Sequence, residues 1–232
     1  MRILLVGFCV LSFHGLSQLN EGQIWIETGV TGKVIKDLDW GVELTNRFGS
    51  NGLQTLFPQA TLKYKVTKWL RPSIEYRFIS SRQQEGYYLN SHRINFNAEF
   101  RHSFDRLTLK SRLRYQFGFR SLSNTSAYEP EFDRAFRLKL EGSYDINNFF
   151  LTPVISGELF YDPMYGPYGQ QINKLRLYGG VDFDLNNSHG IAVGYLYDTK
   201  INLPDPRTRH VLNLSYSYQI GGKKSDTGKD KM

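Results

Sequence analysis

Apolar and polar residues alternate along almost the whole chain. Between Leu38 and Phe48, one parity carries Leu38, Trp40, Val42, Leu44 and Phe48, and the other carries Glu43, Thr45 and Arg47. The same holds where Ala60, Leu62, Tyr64 and Val66 oppose Gln59, Thr61, Lys63 and Lys65. It recurs where Ile74, Tyr76 and Phe78 oppose Glu75 and Arg77, and where Ile94, Phe96, Ala98 and Phe100 oppose Arg93, Glu99 and Arg101. Further on, Leu113, Tyr115 and Phe117 oppose Arg112, Arg114 and Gln116, and Phe136, Leu138 and Leu140 oppose Arg137, Lys139 and Glu141. The pattern runs on through Ile155 and Leu159 against Glu158, Leu175 and Leu177 against Arg176, Ile191 to Tyr197, and Leu212 to Ile220. A period of two places each set on one face of a strand. With a first strand through Ile24, Ile26 and Val30, the reading gives roughly eleven strands and no helix.

The connections between them are expected to alternate in length. Thr67-Lys68-Trp69, Asp105-Arg106, Ile146-Asn147-Asn148 and Asn186-Asn187-Ser188 read as short. Gly49 to Leu56, Ser80 to Ser91, Ser121 to Asp133, Asp162 to Ile172 and Asp198 to Arg209 read as long, being rich in Gly, Pro, Ser, Tyr and Asn. Short turns on one rim and long loops on the other are a property of membrane barrels.

The N-terminus changes the picture. A basic start at Arg2, an apolar run from Ile3 to Leu11 and small residues at Gly15 and Ser17 have the layout of a secretory signal peptide, with cleavage expected after Ser17. The apolar run is shorter than the roughly 20 residues a spanning helix needs. Cleavage removes Cys9, the single cysteine, and with it disulfides and thiolate chemistry. The formal charge of +7 falls to about +6 without Arg2. With no recognised nucleic-acid motif in an exported chain, that balance points to anionic lipid headgroups or small anionic solutes and not to nucleic acid. Residues 222–232 read as a charged, disordered tail.

Alternation alone does not fix which face is buried. A soluble β-sandwich or lipocalin-like binder would put the apolar set inward. Three features favour the opposite: the loop asymmetry, strands long enough to span at a tilt, and aromatics near strand ends at Trp40, Trp69, Phe104, Phe149 and Tyr197. The fold expected is all-β, a single antiparallel transmembrane up-and-down β-barrel over residues 18–221. Bacterial single-chain barrels have even strand numbers, which favours 12 within a range of about 10–12. A further strand is then sought near Phe57 or Tyr87 to Leu89, unless the first segment does not span.

Several stretches, in order, carry a resemblance. Trp25, Glu43 with Arg47, Tyr76-Arg77-Phe78, Ser91-His92-Arg93-Ile94, Arg112-Leu113-Arg114-Tyr115, Arg137-Leu138-Lys139-Leu140 and Leu175-Arg176-Leu177-Tyr178-Gly179-Gly180 are followed by Gly194-Tyr195 and His210-Val211-Leu212. The chain resembles the DUF2490 family of outer-membrane β-barrel proteins, common in Bacteroidetes. Ser91 stands before His92 where that pattern has an acidic residue. The resemblance implies fold and an outer-membrane location, with lipid and lipopolysaccharide as surroundings, and implies no active site.

With apolar faces on lipid, the polar faces line a lumen. The candidate network there is Glu43, Arg47, Glu75, Arg77, Glu99, Arg101, Arg112, Arg114, Arg137, Glu141, Glu158 and Arg176. All lumenal parities together hold fourteen basic and seven acidic residues. Arg77, Arg112, Arg114, Arg137 and Arg176 are expected to meet Glu43, Glu75, Glu99, Glu141 or Glu158, because buried charges need partners. The reading this favours is a structural envelope barrel whose lumen is plugged by ion pairs. The alternatives are a narrow anion-preferring channel and a lipid-modifying enzyme. No catalytic residue is assigned. Ser91-His92, His102-Ser103 and Ser188-His189 are adjacent pairs, and adjacent strand residues point to opposite faces. Paired carboxylates, a metal cluster and a phosphate loop are absent from the pattern, so no cofactor is expected.

Overall fold

The structure is a computed structural model that describes residues 19–83, 85–120, 134–147, 149–185, 188–204 and 206–221. The expected leader 1–17, tail 222–232 and loop Ser121 to Asp133 lie outside the described residues, as do Asn148, Asn186 and Asn187 of two short turns.

Eleven strands follow one another in a meander: β1 (Leu19–Ile35), β2 (Leu38–Gly49), β3 (Gly52–Tyr64), β4 (Leu70–Arg82), β5 (Tyr88–Phe104), β6 (Leu107–Arg120), β7 (Arg134–Tyr144), β8 (Leu151–Asp162), β9 (Gln171–Asp184), β10 (His189–Lys200) and β11 (Arg207–Gln219). They close into one barrel, each strand paired to its sequence neighbours. Ten pairings are antiparallel. The eleventh joins β1 to β11 in parallel, from Leu19↔Arg207 to Thr31↔Gln219.

The strand number is therefore eleven and not twelve. An odd meander sends its first and last strands the same way, so closure requires a parallel seam. Parallel pairing is only slightly weaker per residue, and thirteen register pairs compensate. The places searched for a twelfth strand belong to others: Phe57 lies within β3, Tyr88 and Leu89 open β5, and β1 is full length.

The connections also correct the sequence expectation. One rim joins β1 to β2, β3 to β4, β5 to β6, β7 to β8 and β9 to β10, and the other joins β2 to β3, β4 to β5, β6 to β7, β8 to β9 and β10 to β11. Gly49 to Leu56 is no loop: Ser50-Asn51 is a two-residue turn, and Gly52 takes the left-handed φ of 83° that its exit requires. Ser80 to Ser91 shrinks to residues 83–87, because Ser81↔Leu89 and Arg82↔Tyr88 extend the ladder. Gly, Ser and Asn suit a tight turn as well as a long loop, so composition could not separate the two. Between described strands, the link 163–170 of the second rim is longer than any of the first, whereas 201–206 only equals 145–150.

Side-chain direction follows the parity. Ile155 is 70% exposed on the outer wall, whereas Glu158 is 3% and Arg114 5% exposed inside. Val42, Leu62, Ile74, Phe96, Leu113, Leu140, Leu177 and Leu212 are likewise exposed. This is the reverse of a lipocalin, and one closed sheet replaces the two of a sandwich. Trp69, Phe104 and Phe149 stand exposed near one rim, with Trp69 stacked on Phe100 at 6.0 Å. Trp40 is half-buried at that rim, and Tyr197 is half-buried toward the other.

The small apolar core sits inside the barrel, at the seam. Trp25 of β1, Leu196 of β10 and Val211 of β11 pack together with Tyr178 of β9. Tyr178 lies across Gly180 and Gly194, which are paired in register, and a Cβ at either position would come closer to its ring than real Cβ atoms approach.

Candidate functional site

The inward face of the wall is polar and charged, and the space between the strands is a cavity of about 850 Å³. Strand alternation directs the charges here: each network residue is on the parity opposite its exposed apolar neighbours. Twelve basic and seven acidic residues line the cavity, an excess of five. The sequence reading had fourteen and seven. Lys63 and Arg101, counted there, do not line the cavity, and Glu21 and Glu27 had been missed.

Glu158 on β8 is the hub. Arg137 on β7 donates to it through Nε at 3.1 Å and Nη2 at 2.8 Å. Arg112 on β6 reaches it past β7 at 3.0 Å, and Arg176 on β9 comes within 3.7 Å. Arg176 also meets Asp198 on β10 at 3.0 Å, as does Lys174, again at 3.0 Å. A second cluster centres on Glu75 of β4. Arg114 donates to it at 2.7 Å from β6, and Asn95 and Asn97 of β5 each donate at 3.0 Å. Partners two strands apart can meet only because the barrel is narrow.

Closer to the rim of turns 65–69 and 105–106 the pairs are more exposed. Glu141 takes Lys110 at 2.7 Å and Lys139 at 2.6 Å, and Glu99 takes Lys63 at 3.4 Å. Toward the opposite rim Arg209 reaches Glu21 at 3.3 Å. Of the expected network, Arg112, Arg114, Arg137 and Arg176 lie within ion-pair distance of carboxylates. Glu99 and Glu141 pair with lysines instead. Arg101 stands in register with Lys110 and joins no ion pair among the described residues. Among the described residues Glu43 accepts only from Thr45, at 3.3 Å.

Arg47 and Arg77 are held by aromatic rings. The guanidinium carbon of Arg47 lies 3.7 Å from the centroid of Trp25 and 4.7 Å from that of Phe57. Arg77 lies 4.3 Å from the same Phe57 ring and donates to Gln59, through Nε at 2.9 Å. Arg176 continues the series over Trp25 and over Phe160, both at 5.3 Å, and Arg137 covers Phe160 at 4.2 Å. Four arginines and three rings thus alternate along the inside of the wall. Ring quadrupoles attract each cation, more strongly where water is excluded.

Sequence reasoning missed Phe57, Phe160 and Asp198, and placed Trp25 only through the resemblance. A signal was present: an aromatic residue on the polar parity of its strand. Asp198 had been read as loop, although two more residues of the β10 alternation place it inside.

The described histidines face outward. Tyr76 pairs with Nδ1 of His92 at 2.7 Å, Tyr216 with His189 at 2.7 Å, and Tyr195 with His210. His102 is exposed beside Phe104, on the outer parity expected for it. Ser91 is fully buried on the lumen side, so it and His92 point apart.

No curated protein and no solved structure matches the chain. The profile of DUF2490, described as a protein of unknown function, matches residues 22–209, which run from β1 into β11 and include every charged residue lining the cavity except Glu21. The chain belongs to the DUF2490 family.

Proposed function

We propose that this protein is a transmembrane barrel of a bacterial outer membrane, and that ion pairs close its lumen so that its role in the envelope is structural. One observation carries the reading: the wall is apolar outside and charged inside. In water, each large apolar side chain left exposed forgoes about 1.5–3 kcal/mol of burial. In a bilayer the same surface is solvated by lipid, and a closed sheet leaves no backbone group unpaired. Strands of 11 to 17 residues meet or exceed the roughly 9–11 that a tilted spanning strand needs. Aromatic side chains and Tyr–His pairs near both rims suit headgroup interfaces, with lipid and lipopolysaccharide as the surroundings. The plug reading is supported by Glu158 and Glu75, whose arginines reach across a neighbouring strand into the lumen.

Fractionation of cells tests the location. The protein should follow the outer membrane, need detergent for extraction, and change its gel mobility on boiling. Recovery in the soluble periplasmic fraction would overturn the reading.

The excess of five positive charges around the cavity favours a second reading, a narrow path for small anions. Planar bilayers separate the two: a plugged barrel gives no steps of conductance, and a path gives small, anion-selective ones.

A further inference from the structure

We propose that the pocket formed by the connection 163–170 at its rim of the barrel binds a neutral sugar ring, the pyranose unit of a glycan. The proposal goes beyond a structural role and draws nothing from the charged lumen.

The chain between β8 and β9 borders an open pocket of about 370 Å³. Met164, Tyr165 and Tyr168 line it with apolar surface, and Asp162, Asn173 and Lys200 with polar groups. Pockets for small molecules commonly have this make-up, in which a few polar groups orient a ligand on an apolar surface. Tyr165 is 91% exposed, so almost its whole ring is open to a ligand.

Asn173 is a second and independent observation. It is 2% exposed and sits at the bulge between the register pairs Phe160↔Lys174 and Tyr161↔Ile172. Its Nδ2 donates to the carbonyl of Tyr168 at 2.9 Å and to Asp162 at 3.4 Å. Two acceptors on that side fix which end of the amide is the nitrogen. Its Oδ1 is buried and accepts from no described residue. Buried polar atoms nearly always have a partner. Holding the connection in place uses the N–H groups of Asn173 alone, and the oxygen beside the pocket calls for a donor, directly or through one bound water.

The walls are held before any ligand arrives. The carbonyl of Tyr168 also accepts from Gln171 at 3.1 Å. Gln171 donates to the carbonyl of Asn202 at 2.8 Å, and Asn202 donates to that of Ile172 at 2.9 Å. Met164 N–H donates to Asp162 at 2.9 Å. Groups already fixed lose little freedom on binding.

The class of ligand follows from this lining. One carboxylate and one ammonium group leave no net charge to select an anion or a cation. An anion without N–H or O–H groups brings no donor to Asn173, and neither does an apolar molecule. A pyranose ring meets both demands, because its C–H face covers a tyrosine ring while a hydroxyl on its edge donates toward the carboxamide.

The test is a titration of the folded barrel, in a detergent without a sugar headgroup, followed by ligand-observed NMR. The probes are the methyl glycosides of glucose, galactose, mannose, rhamnose and N-acetylglucosamine, with indole as the apolar control. Saturable binding of at least one glycoside is expected, with Kd on the order of 1 mM. Tyr165→Ala should weaken it about tenfold, and Tyr165→Phe, which keeps the ring, by less than about twofold. Tyr87→Ala removes another exposed aromatic at the same rim, outside the pocket, and should leave binding unchanged. Tyr165 is so exposed that its replacement leaves folding intact, and it carries the readout should Asn173→Ala disturb the connection. A folded Asn173→Ala should also bind about tenfold more weakly. Absence of saturation by every glycoside up to about 50 mM overturns the site. Equal weakening by Tyr165→Ala and Tyr87→Ala overturns it too, as does tighter binding of indole than of any glycoside. Boiling-dependent gel mobility reports the barrel separately, so a failed titration with that mobility intact removes the sugar site and leaves the membrane reading standing.

Discussion

Arg137 and Glu158 share two hydrogen bonds across the β7–β8 ladder, at 3.1 and 2.8 Å, and both side chains are buried. The carboxylate also compensates Arg112 and Arg176. Glu158→Gln removes one charge and leaves three guanidinium groups facing one another in a confined space. Breaking a buried pair costs about 3–5 kcal/mol. Glu99 and Lys63 are more exposed, at 20% and 34% of their side chains, and exposed pairs are worth about 1 kcal/mol or less. Urea titration of the refolded barrel should show a large loss for Glu158→Gln and a small one for Glu99→Gln. Equal, small losses would mean that water fills the lumen and that the plug is absent.

Tyr178 provides a second test. Its ring occupies the space that side chains at Gly180 and Gly194 would need. Gly194→Val should displace the ring into the seam core of Trp25, Leu196 and Val211 and destabilise the barrel by about 1–3 kcal/mol, the usual cost of overpacking. Combining it with Tyr178→Ala should recover part of the loss, because the two positions share one space. Strictly additive losses in a double-mutant cycle would show that the ring does not lie there.

Much of this arrangement was legible before the structure. The inward direction of Glu75, Arg114, Arg137 and Glu158 follows from parity alone, because a strand has only two faces. Partner choice does not follow: Arg112 reaches Glu158 across a whole strand, and that depends on the radius of the barrel. Phe57 and Phe160 were lost because an aromatic on a polar parity looks like an interruption, and only the arginines beside them show its use. Counting gave eleven strands, and the even-number rule pulled the expectation to twelve. That rule describes barrels whose two ends leave from one rim, and the parallel seam of β1 and β11 releases this chain from it.

The outer face can be tested by adding charge. Leu113 is 52% exposed in the middle of β6. If that face meets lipid, Leu113→Arg should cost about 2–4 kcal/mol in a bilayer-refolding titration, the depth-dependent penalty for arginine on the lipid face of a barrel. Lys110→Arg, on the inward parity of the same strand, should cost little. In a water-soluble barrel the outcome would reverse, with Leu113→Arg neutral and more soluble.

The last prediction concerns the two chain ends. In an even meander both leave from one rim, but here β1 begins at the rim of connections 163–170 and 201–206, while β11 ends at the rim of turns 36–37 and 105–106. If the rim with the longer connections faces outward, as in membrane barrels generally, the chain before Leu19 emerges at the cell surface and the chain after Gln219 in the periplasm. An epitope inserted just before Leu19 should bind antibody on intact cells, together with one inserted between Pro163 and Gln170. An epitope after Gly221 should bind only once the outer membrane is permeabilised. Two protected ends with an accessible 163–170 loop would overturn the odd strand count and its parallel seam. Accessibility at Gly221 alone would mean that the barrel is inverted.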